Sequence, residues 1–190
     1  MRTFVAIDIT PEIRERLARF MGQIQASLPG ARWVRAEGMH ITVKFLGEIS
    51  AEQKDAIENS LRTINSSPFK IAIGGLGFFP NARSPRVFWA GIEADNALPT
   101  LAYAIDEALK SLGFEKEKQA YKPHLTLARL NPETKRTILA AATKRLLERT
   151  QPDFGTMTAN EFFLYESKLS PRGATYTKLT RFGLEGATTQ

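Results

Sequence analysis

His40-Ile41-Thr42-Val43-Lys44-Phe45-Leu46-Gly47 and, 84 positions on, His124-Leu125-Thr126-Leu127-Ala128-Arg129 decide how this chain is read. The 190 residues contain two histidines, and each opens one of these stretches. Both begin His-apolar-Thr-apolar. A lone His-x-Thr on a strand reads as a solvent-facing polar row. Two copies that use every histidine in the chain read as a paired site. Histidine is the side chain whose ordinary pKa lies nearest neutrality, so two can serve as acid and base together.

Read as β-strands, the motifs place residues i and i+2 on one face. His40 and Thr42 then share a face that Lys44 extends, while Ile41, Val43 and Phe45 share the other. In the second copy His124 and Thr126 face one way, and Leu125 and Leu127 the other. Each strand has an apolar side suited to a core. Its polar side carries an imidazole and a hydroxyl roughly 6–7 Å apart. Strict alternation sends Arg129 to the face opposite His124, so a bulge, twist or strand end must turn it round if it binds an anion.

The offset between the histidines recurs elsewhere. It relates Phe4 to Phe88, Ala6 to Ala90, Leu17 to Leu101, Leu28 to Leu112 and Thr42 to Thr126. In both halves an apolar strand precedes an amphipathic helix and then the histidine strand. A period this long indicates an internal duplication with two lobes, not a solenoid. Packing about a pseudo-two-fold axis brings the two polar faces together across a cleft.

The pattern along the chain is mixed. Phe4 to Ile9 reads as a buried strand, and Thr10-Pro11 opens a helix with apolar residues at Ile13, Leu17, Phe20 and Ile24. A short strand is expected over 32–35 and the first motif strand over 39–46. Ser50 and Gln53 form a capping box for a helix to about Ile64. Residues 69–79 are strand-like, with Gly74, Gly75 and Gly77 suggesting a bend. A loop over 80–86 is the expected lobe crossing. A strand over 86–93, a helix from Asn96 to about Leu112 and the second motif follow. Asn131-Pro132 starts a helix to about Arg149. Two long strands, 157–167 and 175–184, are joined by a turn at Pro171-Arg172-Gly173. The fold class expected is α+β: one bilobal domain over 1–190, each lobe an antiparallel sheet flanked by helices, with the active-site cleft between them.

Composition narrows the chemistry. Apolar content of 43% and charged content of 24% suit a globular protein. A net charge of +6 is compatible with an anionic partner such as RNA. The absence of cysteine removes disulfides, a thiol nucleophile and Cys-based metal sites. No signal peptide or membrane span is evident, so a cytoplasmic, monomeric protein is the default expectation. Two histidines without a clustered carboxylate make a poor zinc site, so no metal or cofactor is expected. No Gly-x-Ser-x-Gly elbow is present, which disfavours a serine hydrolase. Two opposed histidines can run an in-line displacement at phosphorus, one accepting a proton and the other giving one. Thr42 and Thr126 are placed to hydrogen-bond the non-bridging oxygens. The two motifs are too alike to say which ring is which.

These residues resemble a known family, the 2H phosphoesterases. Within it the chain is similar to the LigT-like RNA 2′,3′-cyclic phosphodiesterases, also called 2′-5′ RNA ligases. The resemblance spans nearly the whole chain. It rests on Arg2-Thr3-Phe4-Val5-Ala6-Ile7, Trp33-Val34, the two motif blocks, Gly77-Phe78-Phe79-Pro80, Tyr165-Glu166-Ser167, Gly173 and Tyr176. It implies metal-free hydrolysis of an RNA-terminal 2′,3′-cyclic phosphate, or of a 2′,3′-cyclic nucleotide, to a 2′-phosphate. It further implies that His40 is the proton donor and His124 the proton acceptor. Thr42 and Thr126 would hold the phosphate, joined by Arg129. Alternatives on the same residues are reversible 2′-5′ ligation, cleavage of 2′-5′ oligonucleotides, or a non-catalytic RNA-end-binding module. Phe4 and Trp33 can stack a base or fill the core, and Lys44 can bind phosphate or lie in solvent.

Overall fold

The computed structural model describes residues 1–116, 120–131, 133–134, 136–170 and 173–185. The strands are β1 (Arg2–Asp8), β2 (Arg32–Trp33), β3 (His40–Glu48), β4 (Phe69–Phe79), β5 (Val87–Glu93), β6 (His124–Arg129), β7 (Asp153–Ala159), β8 (Glu161–Ser170) and β9 (Gly173–Gly183). The helices are α1 (Pro11–Ile24), α2 (Ala51–Arg62), α3 (Ala97–Lys110) and α4 (Arg136–Glu148). Local chemistry fixes several ends. Pro11 begins α1, where its missing N–H has no intrahelical acceptor to lose. Ser50 and Gln53 make both bonds of the capping box at the start of α2, at 3.2 and 2.9 Å.

Every strand pair is antiparallel, and the pairs build two sheets. One has the order β3-β1-β8-β9, the other β2-β6-β5-β4-β7. Each motif strand lies beside the first strand of its own half, β3 on β1 and β6 on β5. The far side of each first strand is covered from the other half: β4 pairs with β5, and β8 pairs with β1. The halves therefore exchange strands. One cluster of buried apolar side chains runs from Val5 to Leu184 and takes in both sheets and all four helices. A smaller cluster of Phe4, Ala6, Phe163 and Tyr165 lies on the opposite face of the four-stranded sheet, with Tyr176 packed on it.

Three sequence expectations change. Residues 80–86 are not the crossing between lobes. They connect β4 and β5, hydrogen-bonded neighbours in one sheet. Apart from the excursion through β2, the chain changes sheet between β3 and β4, by way of α2, and again at Asn160. The strand expected over 157–167 is for the same reason two strands, β7 and β8, in different sheets. The polar pair Asn160-Glu161 is the one interruption between apolar residues on either side, too short a break to mark a change of sheet. The helix expected from Asn131-Pro132 is described from Arg136. Pro132 lies outside the described residues, as do Pro171 and Arg172 of the expected last turn.

The repeat is also refined. Asp8 pairs with His40 and Gly91 with His124, while Val5 pairs with Lys44 and Phe88 with Ala128. The motif strands correspond at an offset of 84, but β1 and β5 correspond at 83. Val5 is thus the counterpart of Phe88, and Ala6 of Trp89. The identities of Phe4 with Phe88 and Ala6 with Ala90 are out of step by one residue. Phe4 and Ala6 belong to the small cluster, whereas Phe88 and Ala90 belong to the main core. Leu17 and Leu101 agree: both face the core from equivalent helices.

Candidate active site

A bulge at the middle of each motif strand shapes the site. Along β1, Val5 pairs with Lys44 but Ala6 pairs with Thr42, which leaves Val43 as the additional residue. Along β5, Phe88 pairs with Ala128 but Trp89 pairs with Thr126, which leaves Leu127. The two bulges fall at equivalent positions. An inserted residue reverses the in–out alternation beyond it. Val43 and Lys44 are accordingly both buried, as are Leu127 and Ala128. Past the bulge, Phe45 and Arg129 return to the histidine side of their strands. The bulge is thus what brings Arg129 round to His124.

Lys44 goes the other way. It is 4% exposed, ion-paired with Asp106 of α3, and donates to the Glu115 carbonyl at 2.9 Å. Neither phosphate binding nor a solvated position, the two sequence readings, describes it. Trp33 packs edge-on against Phe88 at 6.0 Å, on the core side of its sheet and away from the cleft. Phe4 is 2% exposed and stacks on Tyr165 at 5.2 Å. Phe4 is thus not free to stack on a base, and the half-buried Trp33 packs against the core.

His40, Thr42, His124, Thr126 and Arg129 line one small cavity of about 90 Å³, closed by Val34, Gly38, Met39 and Tyr176. Larger hollows flank it. One of about 630 Å³ lies beside His124, against Phe79, Arg86, Tyr121 and Lys122. The other, of about 450 Å³, lies beside His40, against Asp8, Arg14, Tyr176 and Lys178. The five polar residues taken from the two motifs therefore meet across the junction of the two sheets.

The two imidazoles are held alike. The His124 Nδ1 lies 2.8 Å from the Lys122 carbonyl. A carbonyl only accepts, so Nδ1 carries the proton and Nε2 is left for chemistry. His40 is hydrogen-bonded to the backbone of Gly38, again two residues upstream. Their surroundings differ. Phe4, Tyr176 and Tyr165 surround the His40 ring at centroid distances of 4.6, 4.8 and 5.7 Å. Burial in this aromatic box lowers its pKa to about 4, against the opposing pull of the Gly38 hydrogen bond and the Asp8 charge. Among the described residues His124 has one aromatic ring neighbour, Phe79, edge-on at 4.8 Å.

Sequence reading missed the aromatic supports. Phe79, Tyr165 and Tyr176 stand in the sequence only as parts of a resemblance, and Tyr121 carries no signal. Each acts through strand exchange or a loop contact that the linear sequence does not encode. Among the described residues no group of three or more His, Asp or Glu side chains is placed to hold a metal ion.

Two exchanged antiparallel sheets with a His-x-Thr pair from each side define a two-lobed phosphoesterase fold. The LigT-like phosphoesterase family model matches residues 7–89 and 92–176, one stretch for each motif. The chain belongs to that family. It is 37% identical to the RNA 2′,3′-cyclic phosphodiesterase of Archaeoglobus fulgidus, over 96% of this chain and 99% of that one. It is 39% identical to the enzyme of the same name from Methanocaldococcus jannaschii, over 93% and 96%. Among solved structures it superposes on E. coli LigT complexed with 3′-AMP with a TM-score of 0.78. That pair is 29% identical, over 96% of this chain and 97% of that one.

Proposed function

We propose that the protein hydrolyses RNA-terminal 2′,3′-cyclic phosphates to 2′-phosphates, without metal, through His40 and His124. The observation that carries this reading is the convergence of both imidazoles, both threonines and Arg129 on one phosphate-sized cavity. The names of the relatives supply the substrate class. Water attacks phosphorus in line with the P–O3′ bond and gives a proton to His124. The P–O3′ bond breaks, and the departing O3′ takes a proton from His40, leaving a 3′-hydroxyl and a 2′-phosphate. The Thr42 and Thr126 hydroxyls and the Arg129 guanidinium donate to the non-bridging oxygens, where charge builds. Each proton transfer typically contributes about 10²–10⁴-fold.

His40 acts as donor only once it is protonated, and burial disfavours that before substrate binds. A bound phosphate anion supplies the opposite charge that favours the imidazolium, so substrate and proton arrive together. The same low pKa favours a second reading in which the neutral His40 is the base and His124 the acid.

³¹P NMR of a 2′,3′-cyclic nucleotide incubated with the protein and a chelator tests which P–O bond breaks and whether metal is needed. A 2′-phosphate product is expected. A 3′-phosphate would overturn departure of O3′, and loss of turnover with chelator would overturn the metal-free reading. Unchanged activity in His40→Ala or His124→Ala would overturn the two-histidine mechanism. RNA binding without hydrolysis would leave a binding module, and joining of RNA ends to 2′-5′ linkages would add the ligase activity.

A further inference from the structure

We propose that Arg32 binds the phosphate on the 5′ side of the terminal nucleotide, making the site one for an RNA strand in preference to a lone cyclic nucleotide. The inference rests on the hydrolytic reading above. In the β2–β6 pair, Arg32 lies directly opposite Arg129, and Trp33 opposite Ala128. The pairing continues through Val34, whose amide donates to the Leu127 carbonyl at 2.9 Å.

Alternation then sorts the faces. Trp33 and Ala128 turn to the core, where Trp33 meets Phe88. Val34 lines the phosphate cavity, and Arg32, two residues before it, shares that side with Arg129. Both arginines are exposed. Among the described residues neither has an ion pair or a side-chain hydrogen bond. Cross-strand partners sit about 4.5–5.5 Å apart at Cα, and like charges so placed repel.

Two unneutralised guanidinium groups on one face, one at the reacting phosphate and the other just beyond it, match successive phosphates of a single strand. Arg129 meets the cyclic phosphate, and Arg32 meets the next one along the chain. A mononucleoside cyclic phosphate has no group to offer Arg32. An oligonucleotide does, and it relieves the repulsion between the two arginines as it binds.

The test compares a mononucleoside 2′,3′-cyclic phosphate with a dinucleotide ending in the same group, NpN>p, using wild type and Arg32→Gln. Arg32→Gln is expected to lower kcat/KM on NpN>p about tenfold and to leave the mononucleotide unchanged, which also reports an intact fold. The slope of log kcat/KM against log salt for NpN>p is expected to become shallower by about 0.7, the loss of one single-strand phosphate contact. Equal losses on both substrates, or no loss on either, overturn the role of Arg32 and leave the hydrolytic reading standing. If wild type hydrolyses neither substrate, the hydrolytic reading falls and this inference with it.

Discussion

The Tyr121 hydroxyl donates to the main-chain carbonyl of Thr42 at 2.9 Å. The bond joins the segment leading into the second motif to the strand of the first, across the junction of the sheets. A second tie lies two residues further along that strand, where Lys44 holds the Glu115 carbonyl at 2.9 Å. Burial raises the Tyr121 pKa, so the phenol stays protonated and remains a donor. The separation of the two histidines is therefore set by side-chain bonds as well as by sheet packing.

Tyr121→Phe removes one of these ties and keeps the ring. A stability loss of about 1 kcal/mol is expected for one hydrogen bond. The stronger effect falls on kcat, by about tenfold or more, because a small displacement of a reacting group is costly. KM for a cyclic mononucleotide should move less. Steady-state kinetics beside a urea titration separates the two, and an unchanged kcat would remove Tyr121 from the positioning of the site.

Lys44 and Asp106 form a buried pair, so Lys44→Met strands a carboxylate that is itself largely buried. The loss should be about 3–5 kcal/mol, and Lys44→Met with Asp106→Leu together should recover most of it. Folded Lys44→Met protein should keep its KM for a cyclic mononucleotide, because the lysine points away from the cleft, while kcat falls with the lost tie to Glu115. Urea unfolding of the wild type and both variants checks the pattern. A Lys44→Met protein with native stability and a raised KM would restore Lys44 to the phosphate site.

The sequence made the two His-x-Thr faces legible because a period of two is a property of the chain itself. It did not make Lys44, Phe45 or the arrival of Arg129 legible. Those depend on bulges at Val43 and Leu127, and a bulge is defined only against the partner strand. The helix starts at Pro11 and Ser50 were readable from local capping chemistry. The sheet change at Asn160 and the hairpin at 80–86 were not, because strand exchange is a long-range choice. The same exchange places Tyr165 and Phe79 beside the motif histidines, so the aromatic supports stayed hidden too.

Gly77 illustrates how tightly one support is built. A Cβ there would sit 2.1 Å from the Trp89 ring, which packs on Phe79, the neighbour of His124. Gly77→Ala should destabilise by about 1–3 kcal/mol through overpacking and lower activity by moving Phe79. Gly47→Ala is the comparison, with open space around the added methyl and only a left-handed φ of 79° to strain it. Its effect should be about 1–2 kcal/mol in stability with little in turnover. Equal kinetics in the two variants would show that Trp89 and Phe79 do not position His124.

His40 gives the protein a pH dependence of definite sign. Its folded pKa is lowered to about 4 from 6.5, with burial as the main cause. Above the higher value both folded and unfolded chains hold a neutral ring, so this group leaves stability flat. As pH falls through the window between the two values, the unfolded chain takes up a proton that the folded chain refuses, and stability declines. His40→Gln should remove that part of the slope, seen as a smaller drop in urea midpoint between about pH 7 and pH 5. NMR titration of the His40 ring should give a midpoint near 4 in the ligand-free protein. Inorganic phosphate in the cavity should move the midpoint upward, since an anion beside the ring favours its charged form. A free-protein midpoint at the ordinary histidine value would deny the aromatic box its effect. A midpoint indifferent to phosphate would mean that the anion does not sit beside His40, and the proton could not arrive with the substrate.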